Sequence, residues 1–142
     1  MMRQSGFTLL EVLVAILVLS IGLLGLAGLM ASSIRNNHSA QQRTQATWLA
    51  YDVIDRMRVN RPAAIASSDN YNVALGAASG SAGLAGVDIT GWKATLANAL
   101  PAGDGSVAVN SVTRRVTVII QWNDSRGTGG SNAQQLQVDT QL

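Results

Sequence analysis

Chemistry in this sequence is concentrated in one stretch, Gly6-Phe7-Thr8-Leu9-Leu10-Glu11, and in the apolar run that follows it. From Val12 to Ala31, 20 residues, nothing is charged and Ser20 carries the only hydroxyl. As a helix that run would be about 30 Å long, the thickness of a bilayer's hydrocarbon core. Glu11 puts a carboxylate at the mouth of the run, after four uncharged residues from Phe7. An ionisable group at the edge of a membrane segment is costly to hold there and so marks a functional position. The plainer reading is a carboxylate that snorkels to the interface.

The rest of the chain offers little to a catalytic reading. His38 is the only histidine and sits among Asn36, Asn37, Ser39 and Gln41, as a solvated surface side chain would. With no cysteine there is no disulfide framework, thiolate metal site or thiol nucleophile. The sequence has no HExxH and no Ser-His-Asp ordering. The Gly-rich stretch Arg126-Gly-Thr-Gly-Gly-Ser131 lacks the Lys-Ser/Thr of a phosphate loop, and Asp104, Asp124 and Asp139 lack calcium-loop spacing. The expectation is a non-enzyme with no cofactor and no metal. Net charge is +2, and without residues 1–6, which carry Arg3, nine basic residues face eight acidic ones. The only basic cluster is Arg56-Met57-Arg58 with Arg61, so no nucleic-acid surface is indicated.

The elements that must position the opening stretch can be read in order. Gly22, Gly25 and Gly28 fall every third residue inside the apolar run, and small residues there permit close helix packing. Residues 32–61 turn polar but keep a stripe at Ala46, Ala50, Val53 and Met57, widened by Trp48, Leu49 and Ile54, the pattern of an amphipathic helix on a small domain. No Gly or Pro interrupts Ala31 to Arg61, so one helix is expected from Phe7 to about Asn60, ending at Arg61-Pro62. Residues 63–87 read as a connection with at most one short element. Asp88-Ile89-Thr90 then opens an expected helix from Gly91 to Leu100, with Trp92 as a core anchor, closed by Pro101 and Gly103. Strands are expected at 106–110, 112–122 and 134–142, the second alternating Val116, Val118, Ile120 and Trp122 against polar neighbours. Residues 123–132 form the turn of an antiparallel hairpin. The fold class is α+β, with the long helix packed by its C-terminal half on a small antiparallel sheet.

A secretory signal peptide fits poorly: the run exceeds the usual ~7–15 residues, contains Glu11, and is followed by no clean small-x-small cleavage site. An ordinary single-span anchor would not explain Glu11. Gly6-Phe7-Thr8-Leu9-Leu10-Glu11-Val12-Leu13 resembles the processing site of type IV prepilins and pseudopilins. Within that family, Glu11 to Leu29 is most like minor pilins of the PilV type, the pilus modification proteins. Trp92…Leu96…Leu100-Pro101, the Val-rich strand ending in Trp122-Asn-Asp, and the lack of a cysteine-bounded loop agree with that subtype.

The resemblance implies a prepilin leader at 1–6, a transmembrane and assembly helix at 7–31, its amphipathic continuation at 32–61 and a small globular domain at 62–142. It implies that a prepilin peptidase/methyltransferase cuts after Gly6 and N-methylates Phe7, with Glu11 at the family's acidic fifth mature position. Its partners would be other pilins and minor pilins, met through the N-terminal helix, and the inner membrane. Arg3 on one side of the span and Arg35 and Arg43 on the other leave orientation open; the resemblance places the domain in the periplasm, and on the pilus or cell surface after assembly. The expected role is pilus assembly or priming, supporting adhesion and motility. Two alternatives stand beside it, a type II secretion pseudopilin and a membrane-anchored periplasmic binding module that never enters a filament.

Overall fold

The computed structural model describes residues 6–66 and 70–142. Residues 1–5 of the expected leader and 67–69 of the expected connection lie outside the described residues. A single helix, α1 (Leu9–Val59), runs for 51 residues, about 77 Å at 1.5 Å per residue. Its apolar first half is uncovered, and it is the one helix among the described residues long and apolar enough to cross a membrane. Its second half buries Ala46, Ala50, Val53, Ile54 and Met57. Trp48 is not on that face: it is 69% exposed. Two residues on a helix are about 200° apart, so a position two away from both Ala46 and Ala50 points to the opposite side.

At Pro62 the chain starts a new helical turn, α2 (Arg61–Ala64), with proline in the first turn where its missing N–H costs nothing. The next helix, α3 (Gly83–Ala99), begins eight residues before the expected start at Gly91. Asp88 is buried in its interior and caps nothing; its carboxylate accepts a 2.7 Å bond from the Tyr71 hydroxyl. Gly83 enters the helix at φ +67°, open to a residue without Cβ. Ala85, Ile89, Trp92 and Leu96, spaced 4, 3 and 4, form the buried stripe.

Three strands follow, β1 (Asp104–Asn110), β2 (Arg115–Trp122) and β3 (Gln134–Gln141), in an antiparallel sheet of order β1-β2-β3. The register sets Val107, Val118 and Val138 side by side, and Val116, Val118, Ile120 and Trp122 all face the core. Val112, expected in the second strand, is 90% exposed in the turn before it. Asn110 takes the chain out of the ladder: its Oδ1 accepts from the N–H groups of Val112 and Thr113 at 3.1 and 2.9 Å. The sheet and α3 both pack against the C-terminal half of α1. This is the expected α+β layout, and it fits a pilin-like fold.

Among its described residues, the connection before α3 carries a bridge to the sheet. Val73 exchanges two 2.9 Å backbone bonds with Val107, and Asn72 Oδ1 accepts from Val109 N–H at 2.7 Å, so the outer edge of β1 is covered. Tyr71, fully buried, ties this segment to both helices. Its hydroxyl donates to Asp88 and accepts from Asn60 Nδ2 at 3.0 Å, while Arg56 bridges Asp52 at 3.1 Å and approaches Asp88 at 3.7 Å. Burial, with the hydrogen bond to Asp88 second, pushes the Tyr71 phenol from 10.0 up to about 12. A raised phenol stabilises the fold fully below pH 10 and loses that contribution as pH rises through about 12. Tyr71→Phe is expected to cost about 1–3 kcal/mol at neutral pH, since it strips Asp88 and Asn60 of a partner. Urea titrations from pH 8 to 11.5 should show a wild-type decline that is absent in the variant.

Candidate functional site

Gly6, Phe7 and Thr8 form a non-helical, exposed segment that leads into α1, with Phe7 85% exposed. Thr8 is the N-cap. Its backbone is extended (φ −82°, ψ 149°), its Oγ1 accepts from Glu11 N–H at 3.3 Å, and its carbonyl accepts from Glu11 and Val12 N–H at 3.1 and 3.3 Å. Thr8-Leu-Leu-Glu11 has the spacing of a capping box, a local signal that the reading of Glu11 as an isolated membrane carboxylate overlooked. Glu11 thus lies in the first turn, where the unpaired N–H groups and the helix dipole favour a negative charge.

Phe7 and Glu11 are brought together. They line one shallow groove with Val12, Ala15, Ile16 and Leu19, a stripe at helical spacing along the apolar half of α1. Among the described residues nothing covers this stripe. Gly22, Gly25 and Gly28 lie further along, each with open space where a Cβ would stand. Steps of three residues turn each glycine about 60° from the last, so they make a slanted row: Gly22 stands about 20° from Glu11 and continues the stripe, while Gly28 has turned about 100° off it.

Residues 1–27 match the prokaryotic N-terminal methylation motif. This chain carries a prepilin-type N-terminus. The motif implies processing by a prepilin peptidase and association with other pilins, and it supports a pilin- or pseudopilin-type subunit, structural in role. With the uncovered apolar helix behind it, it fits membrane anchoring. No curated protein and no solved structure matches the chain.

A second concave site was not expected from the sequence. Where α1 leaves its apolar half, the loop joining β2 to β3 folds back on it and encloses a cleft of ≈ 700 Å³. Arg35, His38 and Gln42 line it from the helix, and Asp124 and Arg126 from the loop. Asp124 is only 3% exposed, and its Oδ2 accepts from Ser39 Oγ at 2.6 Å across 85 residues of sequence. The loop is shaped for this contact. Asp124 N–H donates to Ser131 O at 2.8 Å, its carbonyl accepts from Gly127 N–H at 2.9 Å, and a Cβ on Gly130 would stand 1.8 Å from that carbonyl. Gln42 Oε1, closed off from solvent, has no hydrogen-bond partner among the described residues. His38 is exposed, as expected of a surface residue, yet forms part of this wall.

Proposed function

We propose that the chain is a minor pilin-like subunit of the pilus-modification type, taking part in type IV pilus assembly or priming and through it in adhesion and surface motility. The observation that carries this reading is the methylation motif over residues 1–27, in which exposed, non-helical Gly6–Thr8 lead into one unbroken helix whose apolar half is uncovered among the described residues. An extended, accessible segment suits a protease, and cleavage after Gly6 would leave Phe7 as the methylated terminus. Its amine, cationic near neutral pH, would pair with Glu11 of a neighbouring subunit and fix axial register. Gly22, Gly25 and Gly28 would let neighbouring helices approach closely. Before assembly the domain would stand in the periplasm, held by the inner-membrane span; afterwards it would be displayed on the filament.

Gold-conjugated antibody against the 62–142 domain should decorate filaments sheared from the cell surface. Labelling confined to the inner membrane in piliated cells would refute filament incorporation. The resemblance extends equally to type II secretion pseudopilins, and deletion separates the two: loss of pili supports the proposal, whereas loss of protein secretion with pili intact assigns the chain to a pseudopilus.

A further inference from the structure

We propose that the cleft between α1 and the β2–β3 loop holds the headgroup of an anionic glycerophospholipid, with Arg35 and Arg126 gripping the phosphate. The inference rests on the reading of residues 12–31 as a membrane span. Three observations lead to it. The first is position. Arg35 lies about 6 Å past Ala31 along the helix axis, within the roughly 5–8 Å that the polar headgroups add on each side of a bilayer core. The second is charge. Two arginines face the cleft against one carboxylate, Asp124, whose Oδ2 is already engaged by Ser39. Among the described residues Arg35 and Arg126 have no ion-pair partner. Guanidinium groups match phosphate oxygens in pairs, with charge-assisted hydrogen bonds. The third is the hold on the loop: the Ser39–Asp124 hydrogen bond keeps Arg126 on the wall of the same cleft as Arg35.

Arg126 separates this proposal from general attraction between basic residues and an acidic surface. Any juxtamembrane arginine on α1 would take part in that attraction, but Arg126 comes to the cleft on the loop that the Ser39–Asp124 hydrogen bond holds against α1.

The test uses the full chain reconstituted in phosphatidylcholine vesicles with or without phosphatidylglycerol. Flotation with the neutral vesicles reports insertion; a chain that fails to float defeats the membrane reading itself, separately from the headgroup site. The inserted chain is then released in mild detergent and weighed by native mass spectrometry. One phosphatidylglycerol should stay bound to the wild type, and at least tenfold less to Arg35→Gln and Arg126→Gln. Arg43→Gln, on α1 but outside the cleft, should retain it as the wild type does. Equal loss in all three variants would reduce the effect to surface charge and overturn the proposal. Displacement of the lipid by millimolar inorganic phosphate, with the phosphate held by the lipid-free chain, would make it a free-anion site and overturn the lipid assignment. No retained lipid, with Arg126→Gln instead weakening cross-linking to other pilins, would make the cleft a subunit contact.

Discussion

Trp92→Ala is expected to be the most damaging single substitution in the domain, lowering the unfolding free energy by about 3–5 kcal/mol. Trp92 is fully buried on α3, and its Nε1–H donates to Leu49 O on α1 at 2.8 Å. Its far edge rests on β1, where a Cβ on Gly105 would come within 2.3 Å of the ring. The indole therefore joins both helices and the sheet, and no neighbour can fill its volume without leaving one of them. For a folded unit of this size each kcal/mol moves the melting temperature by about 4–8 °C. A drop well above ~10 °C is therefore expected in thermal melts of the detergent-solubilised chain. A fall of less than 5 °C would mean that the two helices and the sheet do not share this anchor.

Glu11→Ala is expected to act on assembly and leave the domain untouched. Two roles meet at this carboxylate. In the isolated subunit it occupies the first turn of α1, where a negative charge is worth about 0.3–1 kcal/mol. In a filament it would face the amine of a neighbouring Phe7. Opposite charges 4 Å apart at an effective dielectric of about 20 attract by about 4 kcal/mol before desolvation. Even a third of that is about tenfold in an association constant. Glu11→Ala should leave cleavage after Gly6 largely intact, keep the melting temperature within a degree or two, and lower the amount in sheared filaments at least tenfold. Glu11→Gln, which keeps the shape and loses the charge, should behave the same way. Quantitative immunoblots of filament and membrane fractions check both. If Glu11→Gln incorporates normally, charge pairing is not what sets register.

Much of the fold was legible because its elements are strongly periodic. The stripe Ala46, Ala50, Val53, Met57 and the alternation Val116, Val118, Ile120, Trp122 each point to one buried face, and those faces meet. The misreadings have physical causes. Asp88-Ile-Thr90 looked like a helix start because aspartate favours N-caps, but a buried bond to Tyr71 uses that carboxylate inside α3. Val112 looked like strand because it is β-branched, but Asn110 two residues earlier turns the chain out of the sheet. Trp48 is hydrophobic enough for the core, but its position on the helix turns it outward.

The candidate sites divide in the same way. Phe7 and Glu11 are neighbours through helical spacing, so sequence alone places them together. The cleft at Arg35 and Arg126 joins segments 85 residues apart through a single Ser39–Asp124 hydrogen bond. No local pattern announces it, because its walls are set by where the β2–β3 loop lands on α1.

The mature N-terminus is the most direct test of a prepilin-type subunit. Intact-mass and fragment-ion spectra of the protein recovered from membranes should give a chain starting at Phe7 and carrying one methyl group on its α-amine. A terminus still at Met1, or one created near Ala31, would contradict it.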